Sequence, residues 1–133
     1  MGVIAVETIP VKTEPDVVFA RRRVREITAQ LGFSLVDQTK VVTAASELAR
    51  NTIIHGGGGM MQLETLNGPR NGLRLTFQDN GPGIPNIELA LRDGFTTGSG
   101  LGLGLGGAKR LASEFDLTSK VGEGTKITIT RWK

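Results

Sequence analysis

Glu47 and Asn51 stand four residues apart in "SELARN" (46–51), so in a helix they share one face. Lys40, Ala44, Glu47 and Asn51 make one stripe, and Val42, Ala45, Ala49 and Ile53 make a more apolar one beside it. An amide oxygen and a carboxylate stacked in this way can serve magnesium and its waters, provided phosphates supply the remaining ligands. A solvated helix face has the same spacing.

"DNGPGI" (79–84) puts Asp79 at the end of a predicted strand, just before a glycine turn. Such a residue makes an ordinary Asx turn. It can also be a fixed carboxylate at a pocket edge that accepts a hydrogen bond from a ligand amino group.

"GSGLGLGLGG" (98–107) has glycine at six of its ten positions and runs into "AKRLASEF". Within it, "GLGLGG" matches G-x-G-x-x-G, the dinucleotide fingerprint. Its context does not fit: no buried strand precedes it and no acid-ending strand follows at the right distance. The phosphate-loop pattern G-x-x-x-x-G-K-[ST] is absent. Bare backbone N–H groups leading into a helix N-terminus nonetheless bind anions. Regular Gly-Leu alternation is unlike a flexible linker, which more often carries serine, and it predicts a mobile loop that contacts phosphate. His55, the one histidine, falls in the last turn of its predicted helix. A cap on the orphan carbonyls suits it better than catalysis, because a lone histidine completes no triad.

The elements that must position these residues follow from the pattern. "GVIAVETI" (2–9) reads as a strand, and "TEPDVVFARRRVREITAQLG" (13–32) as a helix with Pro15 in its first turn and Gly32 just past its last. Val17, Ala20, Val24, Ile27 and Leu31 lie on one helical face, while Arg21, Arg22, Arg23 and Arg25 lie mostly elsewhere. Ser34 can cap a second helix (35–55) that stops at the glycine run 56–59. "MMQLETL" and "GLRLTFQD" read as strands of a hairpin around "NGPRN". "NIELALRD" (86–93) is a short helix and "GGAKRLASEF" (106–115) another. "DLTSKV" and "TKITITRW" form a second hairpin around "GEG". Hairpins dominate and helices do not alternate with strands. This predicts an α+β fold: a two-layer sandwich whose mostly antiparallel, mixed sheet is covered on one face by helices.

The 133 residues fit one domain, with no linker or domain-scale repeat. The chain lacks cysteine, which excludes disulfides and thiolate metal sites and suits a reducing cytoplasm. The first twenty residues do not read as a signal peptide, and no apolar run approaches the ~20 residues of a membrane helix. A net charge of +3 allows nucleic acid, acidic proteins or phosphate as partners. With no tyrosine and one tryptophan, a base-stacking surface would be sparse, so nucleic acid is not expected.

In order along the chain stand an E-x-x-x-N helix (Glu47–Asn51), a D-x-G-x-G turn (Asp79–Gly83), a glycine-rich lid (Gly98–Gly104) and a G-x-G-T hairpin (Gly122–Thr125). This order resembles the GHKL nucleotide-binding family of gyrase, heat-shock chaperone ATPases, histidine kinases and MutL, over roughly the whole chain. Within it, "ASELARN", "GPGIPNI" and "DGFTTGSGLGLGL" resemble the small stand-alone serine kinases that regulate bacterial sigma factors, closest to the switch kinases of the stressosome.

The resemblance implies an α/β sandwich holding ATP between helices and sheet, as a single ATP-binding kinase domain over 1–133. It implies that Asn51 holds Mg²⁺, that Glu47 orients or deprotonates the attacking hydroxyl, and that Asp79 meets the adenine amino group. Gly81 and Gly83 would let the purine lie close to backbone, Gly98, Gly100, Gly102 and Gly104 would form the lid over the phosphates, and Thr125 would support the adenine side through its hydroxyl. Lys109 and Arg110 would either help neutralise phosphate or lie on the surface. The implied activity is a protein serine/threonine kinase acting on STAS-domain partners, with a PPM-type phosphatase or another output enzyme downstream. A non-catalytic anti-sigma or switch factor is the other reading. The arginine run 21–25 is a solvated face or a dock for an acidic partner.

Overall fold

The computed structural model describes residues 2–91 and 104–133. Five strands form one sheet in the spatial order β1-β2-β3-β5-β4. They are β1 (Gly2–Val11), β2 (Gly59–Asn67), β3 (Gly72–Asp79), β4 (Glu114–Lys120) and β5 (Gly124–Trp132). All four pairings are antiparallel. The helices are α1 (Glu14–Gln30), α2 (Leu35–Ile54), the short α3 (Ile87–Ala90) and α4 (Gly104–Leu111).

Strand alternation creates the core. Ile9, Met61, Leu63, Leu75, Phe77, Ile127 and Ile129 project from one sheet face and are buried. Val17, Val24 and Ile27 of α1, Leu48 and Ala49 of α2, and Leu105 and Ala108 of α4 close over them. The α+β sandwich expected from the hairpin pattern is the one observed.

The helix ends follow local chemistry. The Ser34 hydroxyl accepts the Asp37 N–H at 3.1 Å and starts α2. Pro15 occupies the first turn of α1, and Gly32 beyond its end takes a φ of 85°. At the start of α1, the Asp16 carboxylate accepts the N–H groups of Lys12 (2.9 Å) and Thr13 (3.2 Å).

Three boundaries differ from the sequence reading: α3, expected over 86–93, is confined to Ile87–Ala90, with Leu91 as its C-cap. β1 continues through Pro10 to Val11, which an edge strand tolerates because that N–H need not enter the ladder. The last helix is displaced: α4 begins at Gly104 and ends at Leu111, while Glu114 and Phe115 open β4. Pairing with β5 claims this segment, with the Ser113 N–H on the Thr130 carbonyl at 2.8 Å and Phe115 opposite Ile129. Arg131 stops the helix by donating to the Leu111 carbonyl at 3.1 Å and reaches Asp37 in the first turn of α2 at 3.0 Å.

Candidate functional site

At one end of the sheet, Gly59, Asp79, Thr125 and Ser119 lie opposite one another across β2, β3, β5 and β4. Asp79 and Thr125 fall in the alternation of Phe77 and Ile127, so the row faces the helices. Both are 7 % exposed. The Asp79 Oδ1 accepts the Gly81 N–H at 2.9 Å and the Thr125 N–H at 3.3 Å. Its Oδ2 accepts no hydrogen bond among the described residues. The Asx turn is therefore real, and it aims a carboxylate with acceptor capacity to spare at the helix layer.

The end of α2 is brought directly onto this carboxylate. A Cβ on Gly56 would fall on the Asp79 carboxyl group, and a Cβ on Gly81 would come within 2.6 Å of the Gly56 Cα. Gly83 has a φ of 81°, and its missing side chain is replaced by the Lys120 carbonyl. Both glycines of the D-x-G-x-G turn are thus needed for the turn to close against α2 and β4.

Glu47 and Asn51 stand on α2 ahead of Gly56, one helical turn apart. Glu47 is only 6 % exposed and Asn51 is half-buried, so this stripe is not a solvated face. Lys40, at its other end, is exposed. A buried carboxylate beside a half-buried amide oxygen suits hard-cation and hydroxyl chemistry. Among the described residues no three His, Asp or Glu side chains gather around a metal position, so a magnesium ion here would take most of its ligands from phosphate and water.

Gly104 opens α4 with a φ of 61°. Gly98, Gly100 and Gly102 lie outside the described residues. Lys109 and Arg110 are exposed in the last turn of α4, where cations complement the helix dipole. His55 is the residue at the α2 C-terminus, with its N–H on the Asn51 carbonyl at 3.0 Å. In the arginine run, Arg23 pairs with Glu7 at 2.9 Å, which raises its pKa further. Arg21, Arg22 and Arg25 line an open groove with Val18, Glu26, Ala29 and Val42, so the groove is basic on balance but carries one carboxylate.

Two site residues escaped the sequence reading. In the sequence Gly56 reads only as part of the glycine run that stops α2. Ser119 belongs to none of the four motifs, yet its hydroxyl lies 2.9 Å from the Thr125 Oγ1 and accepts the Ile84 N–H at 2.8 Å. The usable signal was a hydroxyl at an inward position of the alternating "FDLTS", after Phe115 and Leu117. Thr125 also reaches Asp79 through its backbone N–H, while its hydroxyl meets Ser119.

Residues 36–133 match the family of histidine kinase-, DNA gyrase B-, and HSP90-like ATPases. The chain is 45% identical over 125 residues to the serine/threonine-protein kinase RsbT of Bacillus subtilis, covering 93% of this chain and 94% of that one. It is 33% identical over 120 residues to the anti-sigma F factor of Anoxybacillus flavithermus, covering 85% and 82% respectively. In fold, it resembles a solved Mycobacterium tuberculosis protein with RsbU and RsbW domains, with a TM-score of 0.65 and 23% identity over 96% of this chain but only 32% of that one. Among the described residues no helix is long and apolar enough to cross a membrane. With the sandwich, the Asx carboxylate and the E-x-x-x-N helix in place, the chain belongs to the histidine kinase-, DNA gyrase B- and HSP90-like ATPases, among their RsbT-like serine/threonine kinases.

Proposed function

We propose that residues 1–133 act as one cytoplasmic, ATP-binding kinase domain that transfers the γ-phosphate of ATP to a serine or threonine of a STAS-domain stressosome protein. The kinase then signals to a PPM-type phosphatase or another output enzyme. The observation that carries the reading is the buried Glu47 carboxylate, one turn from Asn51 on the helix whose end abuts Asp79.

In this reading Asp79 accepts from the adenine amino group through Oδ2, and Thr125 lines the same side. Gly81 and Gly83 hold the turn that presents Asp79 to the purine. Gly98, Gly100, Gly102 and Gly104 offer N–H groups to the phosphates. Asn51 is the protein ligand for Mg²⁺, which when bound neutralises charge on the phosphate oxygens. Glu47 orients the attacking hydroxyl and takes its proton. Phosphoryl transfer needs mainly positioning and charge neutralisation, so this small set suffices. The groove of Arg21, Arg22 and Arg25 suits an acidic partner surface.

The test is to incubate the protein with labelled ATP and candidate STAS proteins, then split the sample between acid and alkali. Label on the partner that survives acid supports a phosphate ester. Label lost in acid but stable in alkali would indicate phosphohistidine and overturn the serine/threonine assignment. The 33% identity to an anti-sigma F factor favours a second reading, a nucleotide-dependent binding factor. That reading would be supported by partner binding that depends on ATP while every partner stays unlabelled.

A further inference from the structure

The geometry points to Ser119 as a residue that sets purine specificity by fixing which way the Thr125 hydroxyl points its proton. The inference rests on the proposed adenine reading of Asp79.

Three polar groups converge on the Ser119 Oγ. The Ile84 N–H lies at 2.8 Å, the Gly124 carbonyl oxygen at 3.2 Å and the Thr125 Oγ1 at 2.9 Å. A serine hydroxyl has one proton and two lone pairs. The Ile84 amide can only donate, so it takes one lone pair. The Gly124 carbonyl can only accept, so it takes the proton. One lone pair remains for Thr125, which must therefore donate its own proton to Ser119. All three contacts are satisfied in this arrangement and in no other.

The Thr125 oxygen is left with lone pairs alone. Beside it, the Asp79 carboxylate also accepts, with the Thr125 N–H already on Oδ1. Both polar side chains of the row thus present acceptors toward a ligand. An exocyclic amino group finds partners there. A carbonyl oxygen at the same purine position meets only lone pairs and loses the hydrogen bond it had in water. Ser119 touches no purine atom in this scheme: it is a positioning residue acting through Thr125.

Removing the Ser119 hydroxyl frees Thr125 to rotate and to donate to a carbonyl. The test is calorimetric binding of ATP and of inosine triphosphate, which carries a carbonyl in place of the 6-amino group, to the full chain and its variants. The wild type should prefer ATP. In Ser119→Ala the preference should shrink by roughly 10-fold, within the range set by one mispaired buried acceptor, while Ser119→Thr should retain it. Ser119→Cys, close in size but a poor hydrogen-bonding group, is measured beside alanine in case the smaller side chain unfolds the edge strand; it should lose the preference too. On a Thr125→Val background, Ser119→Ala should change the ratio no further, a coupling that general loosening would not produce. A wild type that binds both nucleotides equally would sink the adenine reading. A wild type that discriminates, with folded alanine or cysteine variants keeping the full ratio, would overturn the role of Ser119 alone.

Discussion

Gly56 at the end of α2 and Asp79 at the end of β3 are in such close register that a methyl group on the first would occupy the carboxyl group of the second. The carboxylate is held from above by a helix end as well as from the side by its own turn. Gly56→Ala should therefore displace Asp79 and weaken ATP binding at least tenfold, with a loss of stability of about 1–3 kcal/mol, typical of an overpacked site. Isothermal titration and thermal melts of the two proteins check this. Unchanged affinity would show that the carboxylate does not contact nucleotide.

Asp79→Asn keeps the shape of the side chain but can turn an N–H₂ toward the purine. The loss of a charged acceptor to a ligand amino group should weaken ATP binding by about 1.5–3 kcal/mol, while the fold persists through the Gly81 and Thr125 contacts to Oδ1. Equal affinity in titrations of wild type and variant would argue against the contact.

Binding and chemistry separate at Glu47. Glu47→Gln preserves its buried volume and removes the proton acceptor. Single-turnover transfer to a partner should slow by about 10²–10⁴-fold, while ATP affinity changes little. Transfer at the wild-type rate would remove the base role.

Gly104 starts α4 at a φ of 61°, where a β-branched side chain is strained. Gly104→Val should lower stability by about 1–2 kcal/mol, read by denaturant melts, and should weaken ATP more than adenosine. Equal weakening of both ligands would place its effect in the fold rather than near the phosphates.

The carboxyl group of Asp16 is held below the ordinary carboxylate range, first by the hydrogen bond from the Lys12 N–H. A depressed folded-state value means the stabilisation is present above the usual unfolded pKa near 3.9 and is lost as pH falls through the folded value. Wild type should therefore exceed Asp16→Asn in melting temperature at pH 7, and the gap should close in strong acid. An NMR titration placing Asp16 at the ordinary carboxylate value would contradict this.

Much of this architecture was legible because it is local. Ser34 before a helical pattern, Gly32 after one, and the alternation through residues 73–79 each encode their element within a few positions, and each was found where expected. The E-x-x-x-N spacing likewise gave a shared helix face, but not its burial, which depends on what packs against α2. Contacts between distant segments left no local trace. The approach of Gly56 to Asp79 is set by the register of the β2–β3 hairpin, and the link from Ser119 to Ile84 needs β4 docked on β5. The misplaced end of α4 has the same origin: the composition of "ASEF" does not announce that β5 will claim it.

The cross-strand row also has a consequence for how the protein comes into being. Asp79 and Thr125 meet across 46 positions of chain, and β5 contributes both the Thr125 N–H and the frame on which Ser119 sits. Closing so long a loop precedes any reward from the contacts it permits. In the proposed reading, the row that meets the purine therefore takes shape only when the β4–β5 hairpin inserts beside β3, and a chain whose hairpin has not yet folded is blind to nucleotide. Nucleotide then binds only the finished fold and draws the folding equilibrium toward it, by about 2.7 kcal/mol at a hundredfold excess over Kd.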